Sequence, residues 1–452
     1  MDTPGSTQDP ASSRPPTPTA RAWIVWLTGV LVYGVAIMHR TSLGVMGLTA
    51  AQHFGAPASV VSTFMVLQLA VYALGQIPAG LLLDRFGPRR VLTAGAALMT
   101  LGQVLIAVAH SPAEAMAART LVGLGDACTF GSAIRLVPLW FPARQVPLLT
   151  QLTGLLGQVG QIVSAVVLVP LVEDAGWRTT YLVAAAVGVA AVVGGALLLR
   201  DAPPGVRRSA STTSLHDLPR ELVDIARHPA TRLAFWAHWT TNFPAIVFSM
   251  MWGMPYLTRA EGRSTATASA LMTLFVLANA AGGPVVGILT NRYPLRRDSL
   301  ILGTIVLSVI PWTVVLLWPG RSPLWLLVVL AAGLGLTLPG GAVGFDVART
   351  SHPGHRLGTA TGIAIMGGFI AGLADIQIIG LLLDRLCPGG RYTLSGFRWA
   401  MATQLPFFAV GIMGIIVNRV RLRRILAAHG VVVPTWRQAL ERNRRLRANR
   451  HG

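Results

Sequence analysis

Lysine is absent from this chain of 452 residues, cysteine occurs only twice, and charge of either sign is scarce. Asp, Glu and Arg together make up 12% of the residues. A soluble domain carries roughly 25%, so half of the usual polar coat is missing. Hydrophobic residues reach 53% and the mean hydropathy is +0.58. That balance excludes a soluble enzyme, a disordered chain and a nucleic-acid-binding domain. Two cysteines, Cys128 and Cys387, build no disulfide framework. No Cys or His spacing suits a metal. No Gly-x-x-x-x-Gly-Lys-Ser/Thr run exists to cradle ATP, so direct ATP drive is unsupported and no cofactor is expected. The formal charge of +20 comes from 37 arginines, ten of them between Arg419 and Arg450, outside the apolar mass. An all-arginine complement fits a GC-rich coding bias.

What is present is apolar sequence in long runs. A helix needs about 20 such residues to cross roughly 30 Å of hydrocarbon. Twelve stretches qualify: 23–48, 59–83, 90–109, 114–139, 146–171, 177–199, 231–257, 266–290, 300–319, 323–348, 358–384 and 397–418. They are called spans 1 to 12 below. Glycine is abundant within them, as close packing of membrane helices favours. The fold class expected is an all-α membrane protein of twelve transmembrane helices in two pseudo-symmetric six-helix bundles. The bundles take in 22–200 and 231–418. Residues 1–21, rich in Pro, Ser and Thr, read as a disordered cytoplasmic tail. Residues 201–230 read as a cytoplasmic linker with a short amphipathic helix from Leu215 to Arg227. Residues 419–452 read as an arginine-rich cytoplasmic tail lying against anionic lipid. Arginines cluster after spans 2, 4, 6 and 8, which places those loops and both termini on the cytoplasmic side of the cell membrane.

The halves repeat. Gly80-Leu-Leu-Leu-Asp84-Arg85-Phe-Gly87-Pro-Arg89-Arg90 follows span 2, and Gly287-Ile-Leu-Thr-Asn291-Arg292-Tyr-Pro-Leu-Arg296-Arg297 follows span 8. The shift between Gly80 and Gly287 also carries Gly160 of span 5 onto Gly367 of span 11. Two parallel six-span repeats around a cavity suit alternating access. The first copy resembles the signature loop of the major facilitator superfamily, over nearly the whole chain in span count and loop pattern. The resemblance implies a gating role for Gly80, Asp84, Arg85, Gly87, Arg89 and Arg90. Asp84 would pair with a helix end and arginines. Asn291 breaks the second copy.

Ionisable groups within spans are costly and mark function. Span 1 carries His39 and Arg40, span 4 Arg119 and Asp126, span 7 His238, span 10 Asp346 and Arg349, and span 11 Asp375. By depth, Arg40 and Arg119 share a level in the outer half and Asp126 lies about 10 Å deeper. Two arginines and a carboxylate on one cavity make a site for an anion and a proton. The run His39-Arg40-Thr-Ser-Leu43-Gly-Val45, the Arg119–Asp126 spacing, Arg135-Leu-Val-Pro-Leu-Trp140-Phe141-Pro142 and Gly157-Gln158-x-Gly160 resemble the superfamily's anion:cation symporter branch, although that branch has Asp at the place of His39. The substrate-binding candidates are Arg40, Arg119, Gln158, His238 and Asn242. The proton-coupling candidates are Asp126, His39 and Asp375. Asp346 and Arg349 read as an ion pair at the inner end of span 10, and Arg135 as a gate or topology arginine. The partners expected are a small anionic substrate, a proton and membrane lipid, with no nucleic acid, and the carrier is expected to act as a monomer. Two alternatives stand beside proton-coupled organic-anion import: a multidrug exporter, which lacks its Gly-Pro signature in span 5, and a nitrate/nitrite-type carrier, whose arginines in spans 2 and 8 are missing.

Overall fold

A computed structural model describes residues 19–56, 58–204, 217–387 and 392–431. The expected tail at 1–18, the Ser/Thr-rich part of the linker at 205–216 and the tail beyond 431 lie outside the described residues.

The regular structure among these residues is all helical, and ten helices are long and apolar enough to cross a membrane. The expectation was twelve crossings; two spans joined into one helical stretch and one less apolar span account for the difference. Val146–Leu198 runs 53 residues as one helical stretch. It turns back at Gly176, whose φ of 80° only glycine adopts without strain, so it holds spans 5 and 6. Span 7 begins as Pro229–Ile246 and continues through wide π turns at Val247–Trp252 and Tyr256–Ala260. Pro244 lacks the N–H that a regular helix would use there. The crossing continues through these turns, and span 7 is less apolar than the others because Arg232, His238, Thr240, Thr241 and Asn242 lie within it.

The other spans follow the hydropathy pattern. Span 1 is Ala20–Val45, span 2 Ala58–Phe86, span 3 Pro88–Ala107 and span 4 Pro112–Trp140. Span 8 is Thr265–Arg292, span 9 Arg297–Leu317, span 10 Leu324–Ser351, span 11 Leu357–Leu386 and span 12 Leu394–Ala428. The linker helix runs Leu218–Arg227, and residues 215 and 216 of the expected stretch lie outside the described residues. Large apolar side chains such as Leu31, Leu74, Leu197 and Leu317 stand exposed, which hydrocarbon tolerates and water does not. Inside each bundle glycines set the spacing. A Cβ on Gly95 of span 3 would sit 2.6 Å from the carbonyl oxygen of Gly125 on span 4. One large core fills the C-terminal bundle around Trp312, Tyr256 and Phe397, and separate clusters around Tyr181 and Trp26 fill the N-terminal one.

The bundles meet most closely on the side that carries the linker. Span 2 crosses span 11 there, where a Cβ on Gly80 would lie 2.6 Å from the Gly358 carbonyl oxygen and one on Gly362 only 2.2 Å from that of Gln76. Span 8 meets span 5 in the pseudo-symmetric position, with Gly287 against Leu148.

Candidate functional site

Span 4 breaks its regular turn at Cys128, two residues beyond Asp126. Thr129 donates its hydroxyl back to the Asp126 carbonyl at 2.8 Å. This fixes the carboxylate facing span 1. Arg40 donates to it through Nε at 2.6 Å and Nη2 at 2.8 Å, a bidentate fork in which Asp126 is fully buried. The guanidinium also lies 5.0 Å from the centre of the Tyr72 ring.

Arg40 forms part of the wall of a cavity of about 170 Å³ between the bundles. Tyr33, Tyr72, Gln151 and Gln158 line it from the N-terminal bundle, and His238, Asn242 and Asn279 from the C-terminal one. Asn242 donates to Thr241 Oγ1 at 3.2 Å, while His238 Nδ1 has no partner. Two glycines keep these groups open. A Cβ on Gly341 would stand 2.6 Å from Asn242 Nδ2, and one on Gly368 2.5 Å from His238 Nδ1.

Three candidates lie elsewhere. Arg119 is wholly buried behind span 1, not in the cavity wall. It donates to the carbonyls of His39 and Arg40, to Ser42 Oγ and to Gln68 Oε1. His39 faces span 6, its Nε2 3.0 Å from the Ala184 carbonyl oxygen. One residue along a helix is a turn of about 100°, so Arg40 and His39 cannot share a face. Asp375 is also outside the cavity lining. It accepts from Thr403 Oγ1 at 2.8 Å beside a break in span 12, and its other oxygen is unpartnered.

On the linker side the cavity ends at Thr150 and Phe345, which also line a small second cavity of about 40 Å³. Three sets of hydrogen bonds join the bundles, the first in the cavity wall and the other two on the linker side of Thr150 and Phe345. Gln151 Nε2 donates to the Pro339 carbonyl at 2.9 Å, at the break in span 10. Arg135 donates to the Gly354 carbonyl. Asp84 accepts from the backbone N–H of Gly358 at 2.7 Å and from the N–H and hydroxyl of Thr359, both at 2.8 Å. Those amides belong to the first turn of span 11, where N–H groups lack helical partners and the dipole favours negative charge. Asp84 thus caps a helix of the opposite bundle.

The arginines of the loop have separate tasks. Arg89 ties span 3 to the end of span 6, its backbone N–H on Asp201 and its guanidinium on the Ala196 carbonyl. Arg85 lies along the Phe86 ring, and Arg90 is exposed. Gly87 makes the turn itself with φ 86°. Asp346 and Arg349 form the expected pair at 2.9 Å.

The match to known proteins agrees with this architecture. The Major Facilitator Superfamily model matches residues 29–372. This chain belongs to the Major Facilitator Superfamily. It is a multi-pass membrane transporter. The chain is 23% identical over 386 residues to a probable sulfoacetate transporter of Cupriavidus necator, covering 78% of this chain and 86% of that protein. It is 24% identical over 422 residues to a probable galactarate/D-glucarate transporter of Escherichia coli, covering 82% and 89%. A probable nitrate/nitrite transporter of Mycobacterium tuberculosis is 29% identical over 361 residues, covering 76% and 84%. The fold matches the crystal structure of the Escherichia coli fucose:proton symporter with a TM-score of 0.67 at 15% identity, over 88% of this chain and 98% of that one.

Sequence reasoning missed Tyr33, Tyr72, Gln151 and Asn279 as cavity residues. Two of them carried a signal. Tyr33 precedes Arg40 by seven residues and Gln151 precedes Gln158 by seven, two turns that return to nearly the same face.

Proposed function

We propose that this transporter imports a small organic anion together with a proton, with the linker and both termini in the cytoplasm. One observation carries the reading: the cavity's arginine is held bidentately by a buried carboxylate. A buried guanidinium stripped of its anion is strongly disfavoured. Arg40 therefore needs one anion at all times, either Asp126 or the substrate. Protonating Asp126 cancels its charge and frees Arg40 for the substrate carboxylate or sulfonate. Loss of that proton restores the ion pair and expels the substrate. Proton and anion enter together because each permits the other.

His238, Asn242 and Gln158 supply neutral hydrogen-bonding groups around the cavity for the rest of the solute. Arg119, by its bonds to the carbonyls of His39 and Arg40, positions the backbone that carries Arg40. With the linker side taken as cytoplasmic, the bonds of Asp84 and Arg135 hold the carrier closed on that side, and that of Gln151 ties the bundles at the cavity. Rocking of the bundles would break them and open that side. Relatives named as carriers of sulfoacetate and of galactarate and D-glucarate support an organic anion. The exporter and nitrate readings are not favoured. Spans 2 and 8 carry arginine only at their linker-side ends, Arg85 and Arg292.

The test is uptake into proteoliposomes of labelled sulfoacetate, hexarates, hexuronates, sialic acid and short dicarboxylates, with and without an inward proton gradient. Gradient-driven uptake of one class, abolished by Arg40→Ala, is the expected result. Uptake by Arg40→Ala at the wild-type rate would overturn the assignment.

A further inference from the structure

Away from the central cavity, a groove of about 470 Å³ opens between spans 7, 11 and 12. Its walls are apolar, from Phe235 and Trp236 on span 7, Ile363 on span 11, and Val410, Met413 and Val417 on span 12. Trp236 lies against span 12 because position 414 is glycine. A Cβ there would fall 2.3 Å from the indole. At the linker-side end the lining changes to Arg232, Asn418 and Arg421.

Three features of that end point to an absent ligand. Arg232 donates through Nε to the Ala226 carbonyl of the linker helix, and among the described residues no carboxylate forms a salt bridge with it. Arg232 is half-buried; Arg421, which is exposed, forms none either. Its neighbours Arg419 and Arg423, by contrast, both pair with Asp298. Asn418 is 4% exposed and donates to the Gly414 carbonyl at 2.8 Å, yet its Oδ1 is buried with no donor.

The dimensions match one leaflet. From Arg421 to Val410 is eleven residues of helix, about 16 Å at 1.5 Å per residue. Half of a hydrocarbon core of roughly 30 Å is about 15 Å. The charged end is therefore at headgroup level when the apolar end is near the midplane.

We infer that this groove binds one anionic glycerophospholipid, with its phosphate between Arg232 and Arg421, a headgroup hydroxyl donating to Asn418 Oδ1, and an acyl chain along Trp236, Met413 and Val410. A free phosphate would satisfy the arginines and leave the apolar walls bare. A zwitterionic lipid would fill the walls and bring its own cation to the arginines. Through Arg232 the lipid is coupled to the linker helix, whose Glu221 pairs with Arg356 at 3.1 Å, just before the helix end capped by Asp84.

Native mass spectrometry of the full chain tests this, with phosphatidylglycerol, phosphatidylcholine of the same acyl chains, and glycerol 1-phosphate as separate ligands. The wild type should retain one phosphatidylglycerol in preference to phosphatidylcholine and should not retain glycerol 1-phosphate. Each arginine near a headgroup is worth about fivefold in affinity, so Arg232→Gln with Arg421→Gln should lower the phosphatidylglycerol affinity about thirtyfold. Val417→Trp, which fills the groove without touching charge, should abolish the adduct. Arg90→Gln with Arg144→Gln, two exposed arginines of the same side, should leave it intact. An adduct that survives both groove variants, one lost equally in the Arg90/Arg144 control, or equal retention of glycerol 1-phosphate would overturn the proposal. If the double variant does not fold, Val417→Trp and the soluble headgroup decide it alone.

Discussion

Replacing Asp84 with asparagine keeps the shape of the side chain and removes its charge. In the wild type two carboxylate oxygens take three donors from the first turn of span 11, at 2.7 to 2.8 Å. Asparagine offers one acceptor oxygen and turns an N–H₂ toward the remaining amide. Each charge-assisted bond is worth about 1.5–3 kcal/mol where water is excluded. The freed amides recover part of this from water once the bundles part. A net loss of about 2 kcal/mol is therefore expected, roughly thirtyfold in the ratio of linker-side-closed to linker-side-open molecules. The assay is the alkylation rate of a single cysteine at Thr361, which lines the small linker-side cavity, in a background of Cys128→Ser and Cys387→Ser. Alkylation follows the open population while that population is small. Asp84→Asn should raise the rate by about one to two orders of magnitude, and substrate counterflow should continue. An unchanged rate would refute the reasoning, because it would mean that the capped helix end contributes nothing to closure.

Three further outcomes follow from the same geometry. Gly362→Leu should also raise Thr361Cys alkylation, since its Cβ starts 2.2 Å from the Gln76 carbonyl oxygen and spans 2 and 11 must separate. Arg119→Ala strands the buried carbonyls of His39 and Arg40 and the side chain of Gln68. It should cost about 2–3 kcal/mol, read as a lower thermal midpoint in detergent, and Arg119→Lys should rescue little because it lacks the fork. Outside the spans, burial holds His352 down at about 4, helped by nearby His228 and Arg356, with its Nε2 2.7 Å from Thr231 Oγ1. The unfolded chain takes up that proton near pH 6.5 and the folded one does not. Stability should thus be constant above pH 6.5 and fall as the pH drops from 6.5 toward 4. Partial exposure of the ring limits the loss to about 1–2 kcal/mol. His352→Gln should flatten that part of the midpoint-versus-pH curve.

The spans and the repeat were legible because a membrane helix must be apolar over its whole length. The breaks were not. Gly176 and Pro244 act through backbone angles and a missing N–H, which hydropathy does not register. In the site, depth alone put Arg40, Arg119 and Asp126 together, and side-chain direction separates them. Side chains on a helix lean toward its N-terminus. Span 1 starts on the linker side, so Arg40 leans toward the deeper Asp126. Span 4 starts on the other side, so Arg119 leans away from Asp126 and onto the carbonyls of span 1. That rule needs only the span directions, and it was available from the sequence. The cross-bundle cap by Asp84 carried a signal in the signature loop, whereas its recipients, Gly358 and Thr359, bear no charge to draw attention.

The central claim is that Asp126 carries the coupled proton by competing with the substrate for Arg40. Asp126→Asn mimics the protonated carboxyl permanently. In proteoliposomes this variant should exchange labelled for unlabelled substrate at a rate comparable to wild type, and should fail to accumulate it under an inward proton gradient. Concentrative, gradient-driven uptake by Asp126→Asn would contradict the account and leave the Arg40–Asp126 pair as a structural bond.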